Sequence, residues 1–160
     1  GEWGLVGGGI AGTNPTVNAL QIASQKLYVG GFFTAVGKQN EDLFVTGVTS
    51  PNIAAYSLVT GEWEALGGGL PGAVVNALSV GTSGTVYVGG GFTSVNSQPA
   101  AGLAVYNGDG WVPYGGRLES ETGGAGAVYA VLHLDQRLPE VQPARVFTGT
   151  SARLQVPCLQ

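Results

Sequence analysis

Apolar residues in this chain come in short runs that alternate with period two, and no run keeps the three-to-four spacing of an amphipathic helix. The middle of the sequence shows the pattern best. Four runs follow one another: "VVNALSV" (74–80), "TVYVGGGF" (85–92), "GLAVYN" (102–107) and "GWVPY" (110–114). They are rich in Val, Tyr, Phe and Trp, the residues that suit a pleated surface. "GTSG" (81–84) stands between the first two, and "NGDG" between the last two, both tight-turn sequences. The pattern predicts a four-stranded antiparallel meander. Val86 and Val88 point to one face and Tyr87 to the other; Leu103 and Val105 oppose Ala104 and Tyr106. Both faces of such a sheet are apolar, so each needs cover, and stacking like sheets face to face supplies it.

The same pattern recurs along the chain. Tyr28 and Tyr87 are equivalent, in "KLYVGGFFTAV" and "TVYVGGGFTSV". "VNAL" occurs at 17–20 and 75–78, and "GEW" at 1–3 and 61–63, with Trp111 next in that series. A weaker third copy has "VYAV" at 128–131 and "RVFTG" at 145–149. A unit of roughly 50 residues falls in the range of propeller-type repeats. The expected class is all-β: a partial β-propeller of four-stranded antiparallel blades, about three repeats in number. Residues 1–16 are read as the last strand of a preceding blade and a connector, 17–66 and 75–114 as blades, and 128–156 as a degenerate or incomplete blade. Closed propellers hold roughly four to eight blades. With Gly1 first and no Met anywhere, the chain is expected to be a processed product or a piece of a longer one. The glycine doublets, 30–31 and 89–90, are expected to let a neighbouring backbone or a Trp or Tyr ring approach closely. Trp63 and Trp111 are expected at equivalent buried positions near them.

An apolar strand, a glycine doublet, then Tyr and Trp at a fixed offset resembles the kelch repeat. "LYVGG" (27–31) followed by "AAYSLVTGEW" (54–63) carries the first copy; "VYVGG" (86–90) with Tyr106 and Trp111 carries the second. The wording "VNAL…YVGGxFT…AxY…W…LGGGL" is similar to kelch-like repeats of bacterial surface proteins and fungal cortical polarity markers. The resemblance covers 1–114 well and 115–160 poorly, and lacks the usual Arg/His-bearing strand start. It implies a β-propeller. A galactose oxidase-like copper centre would need two histidines and a cysteine-crosslinked tyrosine, whereas this chain has only His133 and Cys158.

Charge is sparse, with a formal net charge of -4. No basic patch invites nucleic acid or an anionic membrane. The stretch from Ala65 to Gly108 carries no charge, but Gly67–Gly69, Pro71, Asn76, "GTSG" and Pro99 break it, so no membrane span is expected. A single Cys makes no internal disulfide, and "NPT" (14–16) is not a glycosylation sequon. "GGGIAG" (7–12) and "GGGLPG" (67–72) fit G-x-G-x-x-G, yet each leads into a strand rather than a helix, which makes them connectors between blades. "GFFTAVGKQ" (31–39) misses the phosphate-loop spacing. His133 shares a strand face with Asp135, but no nucleophile can be tied to the pair. The acid pairs Glu41–Asp42, Glu62/Glu64 and Glu119/Glu121 lack a recognised metal-ligand spacing and read as solvated turns. Asp109 belongs to a hairpin.

The expectation is therefore a non-enzymatic propeller segment of a larger secreted or cell-surface protein. It would be an interaction scaffold for a protein or glycan, packed against the rest of its own propeller or neighbouring subunits. No catalytic residue, metal ligand or cofactor is assigned. The alternatives are a scaffold domain of a secreted enzyme whose active site lies elsewhere, and a structural repeat of an extracellular assembly. The candidate partner-binding element is the loop "GKQNEDLFVTGVTSP" (37–51), which the second copy shortens to "NSQPAAG". Lys38, Glu41, Asp42 and Phe44 are its candidate contacts: an aromatic with a polar rim is the makeup of an interface anchor. Its bland alternative is that Phe44 folds back over its own blade.

Overall fold

A computed structural model describes residues 4–37, 47–115 and 126–132. The described chain is all-β, with strands and turns and no helix. Two four-stranded antiparallel meanders dominate. The first sheet holds β2 (Thr16–Ala23), β3 (Lys26–Phe32), β6 (Ile53–Ser57) and β7 (Trp63–Ala65), in that spatial order. The second holds β8 (Val75–Val80), β9 (Val86–Gly90), β12 (Leu103–Tyr106) and β13 (Trp111–Pro113). Two small sheets sit on the connections. One joins β1 (Ile10–Ala11), β4 (Ala35–Val36) and β5 (Val48–Thr49); the other is the hairpin of β10 (Ser94–Val95) and β11 (Gln98–Pro99).

The turns follow from local chemistry. In "NGDG" the Asn107 side-chain carbonyl accepts from the Asp109 and Gly110 amides, so the turn is closed by its own first residue. The β2–β3 turn is less expected. Ser24 and Gln25 both have positive φ (47° and 60°), a two-residue turn with the twist that a hairpin wants but without glycine.

Both first strands carry a bulge at the same place. Val17 opposes Gly31 and Ala19 opposes Gly30; Val75 opposes Gly90 and Ala77 opposes Gly89. The extra residue is Asn18 in one and Asn76 in the other. A bulge shifts the period of two, so residues three apart come to share a face. Val75 and Leu78 do so, and both reach Gly30 of the first sheet.

This contact sets how the sheets stack. A Cβ on Gly30 would lie 2.6 Å from Val75 Cγ1 and 3.3 Å from Leu78 Cδ2. A Cβ on Gly89 would overlap Val128 and lie 2.8 Å from Val131 Cγ2. Val128 and Val131 stand in "VYAV" where Val75 and Leu78 stand in "VNAL". The third copy's opening segment therefore meets the second sheet as the second sheet meets the first. The main core lies between the sheets, with Tyr28, Ile53 and Ala55 against Val75, Leu78 and Val88. In the inner strands of the second sheet one face is dry, with Val86, Val88 and Ala104 buried, whereas on the other Leu103 is buried and Tyr87 and Val105 are half-buried.

The glycine expectation needs one correction. The first glycine of each doublet receives aliphatic residues, not a ring. The second glycine of each serves its own sheet: a Cβ on Gly31 would overlap the Thr16 carbonyl, and one on Gly90 the Val74 carbonyl, both on the bulged strand. The rings go instead to the triple-glycine connectors. Trp63 Nε1 donates to the Gly7 carbonyl (3.0 Å) and Trp111 Nε1 to the Leu66 carbonyl (2.7 Å). A Cβ on Gly7 would sit 2.5 Å from the Trp63 and Tyr56 rings, and one on Gly67 2.9 Å from those of Trp111 and Tyr106. The two tryptophans are equivalent, as expected, yet Trp111 is buried and Trp63 only half-buried.

Candidate functional site

The 37–51 insertion grows from a rigid base. It replaces the turn of a small hairpin: β4 and β5 pair through Ala35–Thr49 and Val36–Val48, as β10 and β11 do through Ser94–Pro99 and Val95–Gln98. In the second copy two residues, Asn96 and Ser97, suffice, both at positive φ. In the first copy the chain leaves at Gly37 and returns at Gly47. These ends nearly touch, since a Cβ on Gly37 would lie 2.8 Å from Gly47 Cα. Gly37 has φ +116°, and its amide donates to the Gly9 carbonyl of the connector (3.0 Å). Closely held ends are what a compact, self-packed surface loop requires.

Below the mouth the packing is tight. Val36 and Phe33 are buried in a small core with Val29 and Ala54. The Ser50 hydroxyl donates to the Ile53 carbonyl (2.5 Å). Asn52 is the central fixture. Its amide donates to the Phe33 carbonyl, its carbonyl accepts from the Gly31 amide, and its side chain accepts from the Phe33 amide and donates to the Leu70 carbonyl (2.8 Å). One buried side chain thus ties the end of β3, the start of β6 and the connector to the second sheet. Gly102 has the same place and the same left-handed φ in the second copy.

Lys38, Glu41, Asp42 and Phe44 lie outside the described residues, so the structure brings the two ends of their loop together and not the four side chains. Glu119, Glu121, His133, Asp135 and Cys158 also lie outside. Of the acids that are described, Glu64 pairs with Lys26 (2.5 Å) across the first sheet. Its hydrogen bond to Glu64 raises the Lys26 pKa above the ordinary value. Among the described residues no three potential metal ligands gather at one place. The glycine triplets are at positive φ throughout and seat tryptophan rings, which is connector chemistry.

Sequence reasoning missed two polar fixtures between the sheets. Gln21 clamps the second sheet's first strand, its side chain accepting from the Val80 amide (2.9 Å) and donating to the Val80 carbonyl (3.4 Å). The bulged Asn18 donates to the Val75 carbonyl (3.1 Å). Asn18 lies within the repeated "VNAL" and Gln21 directly after it, and that repeat is the signal that marked the place. Searches of family models, curated proteins and solved structures returned no match to this chain.

Proposed function

We propose that this chain is a non-enzymatic, kelch-like β-propeller segment of a larger secreted or cell-surface protein, presenting the 37–51 loop to a protein or glycan partner. The observation that carries the reading is the repeated sheet contact: Gly30 receives Val75 and Leu78, and Gly89 receives Val128 and Val131. Like sheets that stack by one repeated contact make a scaffold whose loops vary without disturbing the core. The insertion enters where the second copy needs only a turn, so nothing in the stack demands its length. Its charges stand out in a chain with few, and an aromatic with a polar rim suits an interface.

The test is to replace residues 38–46 with a two-residue turn and screen both forms against glycan arrays and a panel of extracellular proteins. The reading expects an unchanged fold and the loss of a binding signal that the parent shows. Binding that survives the deletion, or a parent that binds nothing on either panel, counts against it.

A further inference from the structure

The first and second sheets present the same front face to different surroundings. In the second sheet Val75, Leu78 and Val80 are 0%, 9% and 8% exposed, covered by the glycine face of the first. Their equivalents Val17, Leu20 and Ile22 in β2 are 43%, 61% and 67% exposed. Val6, the counterpart of buried Leu66, is also open. Alternate residues of β2 are accounted for: Ala19 and Ala23 pack into the core between the sheets, and Gln21 clamps Val80. The bare side is thus a continuous aliphatic surface built to the same plan as one already buried in the molecule.

We propose that Val17, Leu20 and Ile22 form the docking surface for a further sheet of this repeat, carried on the same polypeptide, which seats the first glycine of its doublet over them. The inference rests on the stacked-sheet reading above. Two observations choose this occupant over a second copy of the chain. Both doublets among the described residues are already filled, Gly30 by Val75 and Gly89 by Val128, so a second copy has no described glycine face to offer. And "GEW" at 1–3 repeats "GEW" at 61–63, where it leads into the last strand of a sheet just ahead of a triple-glycine connector. Residues 1–3 thus carry the last-strand signature of a unit that would lie on this side.

The experiment extends the full chain by a copy of residues 4–60 placed ahead of Gly1, so that "GEW" completes the added sheet. In a Cys158→Ser background, Leu20→Cys in the original copy reports the face through its rate of labelling by an uncharged maleimide. Leu78→Cys in the unextended chain is the buried reference. Leu20→Cys should label freely without the extension and slow by roughly a hundredfold with it, as a site that opens only by local unfolding does. Gly30→Leu in the added copy should restore fast labelling. If Leu78→Cys labels as fast as Leu20→Cys in the folded, unextended chain, the stacking itself fails and the proposal with it. If Leu78→Cys is protected but Leu20→Cys stays fast beside an added copy, folded or not, the docking proposal alone is overturned. Protection of Leu20→Cys that grows with concentration of the unextended chain would assign the face to a second copy and overturn it as well.

Discussion

Trp63 and Trp111 do the same job with different cover. Each caps a glycine connector and hydrogen-bonds a backbone carbonyl, but only Trp111 is fully enclosed. Trp111→Ala should cost ~3–5 kcal/mol in denaturant unfolding, as for a fully packed ring. Trp63→Ala should cost less, about 2 kcal/mol, because its ring already meets solvent. Equal losses would contradict the difference in cover. The β2–β3 turn holds two non-glycine residues at positive φ. Replacing Ser24-Gln25 by Asn-Gly should stabilise the chain by about 1 kcal/mol, because that pair enters the left-handed region at little cost. The Lys26–Glu64 pair is partly exposed. Removing it by Glu64→Gln should cost no more than about 1 kcal/mol. The pH sign follows from the raised Lys26 pKa. The pair's contribution is whole below the unfolded lysine value and is lost as pH rises through the folded one, so Glu64→Gln should flatten stability only on the alkaline limb.

At the scale of the element, the glycine doublet is two devices side by side. Gly30 makes room for a side chain of the next sheet, and Gly31 for the backbone of its own bulged strand. The distinction predicts opposite behaviour in double mutants. Gly30→Ala should cost ~1–3 kcal/mol as an overpacking change. Val75→Ala removes the atoms it meets, so the pair should be less destabilised than the sum of the single variants. Gly31→Ala meets the Thr16 carbonyl, which no side-chain substitution removes, and should show no such rescue. Additive losses at Gly30 and Val75 would refute the contact. The bulge has its own test. Deleting Asn18 leaves Val17 opposite Gly31 and Ala19 opposite Gly30, so Leu20 and Ile22 should keep their face while the hydrogen bond that Asn18 donates to the Val75 carbonyl is lost.

For the whole molecule, stability should reside in the stacked sheets and not in the insertion. Leu78→Ala should cost ~2–5 kcal/mol, whereas Leu20→Ala, at the equivalent open position, should cost about 0.5 kcal/mol or less. Equal effects would mean that the sheets do not shelter one another in solution. Shortening 38–46 to two residues should change stability by about 1 kcal/mol at most, because closing a longer loop costs only slowly more entropy and its ends are held from below.

The sequence alone determined the four main strands of each repeat, their antiparallel order, the turn at "NGDG" and the equivalence of the repeats, since alternation and turn chemistry are local properties of a strand; the two-residue strands of the small sheets are too short to show a pattern. It also marked the insertion, because a repeat shows its own departures. The tertiary structure decided what each glycine is for. A glycine in a string shows that something comes close, but whether a valine, an indole or a carbonyl arrives depends on which strand lies opposite and on the next sheet's position. The bulges were hidden for the same reason: "VNAL" reads as plain alternation until its partner places Gly30 opposite Ala19. The asymmetry between Leu20 and Leu78 lay furthest from the sequence. The two residues stand in the same motif, and only the presence of a sheet over one of them makes it core and leaves the other bare.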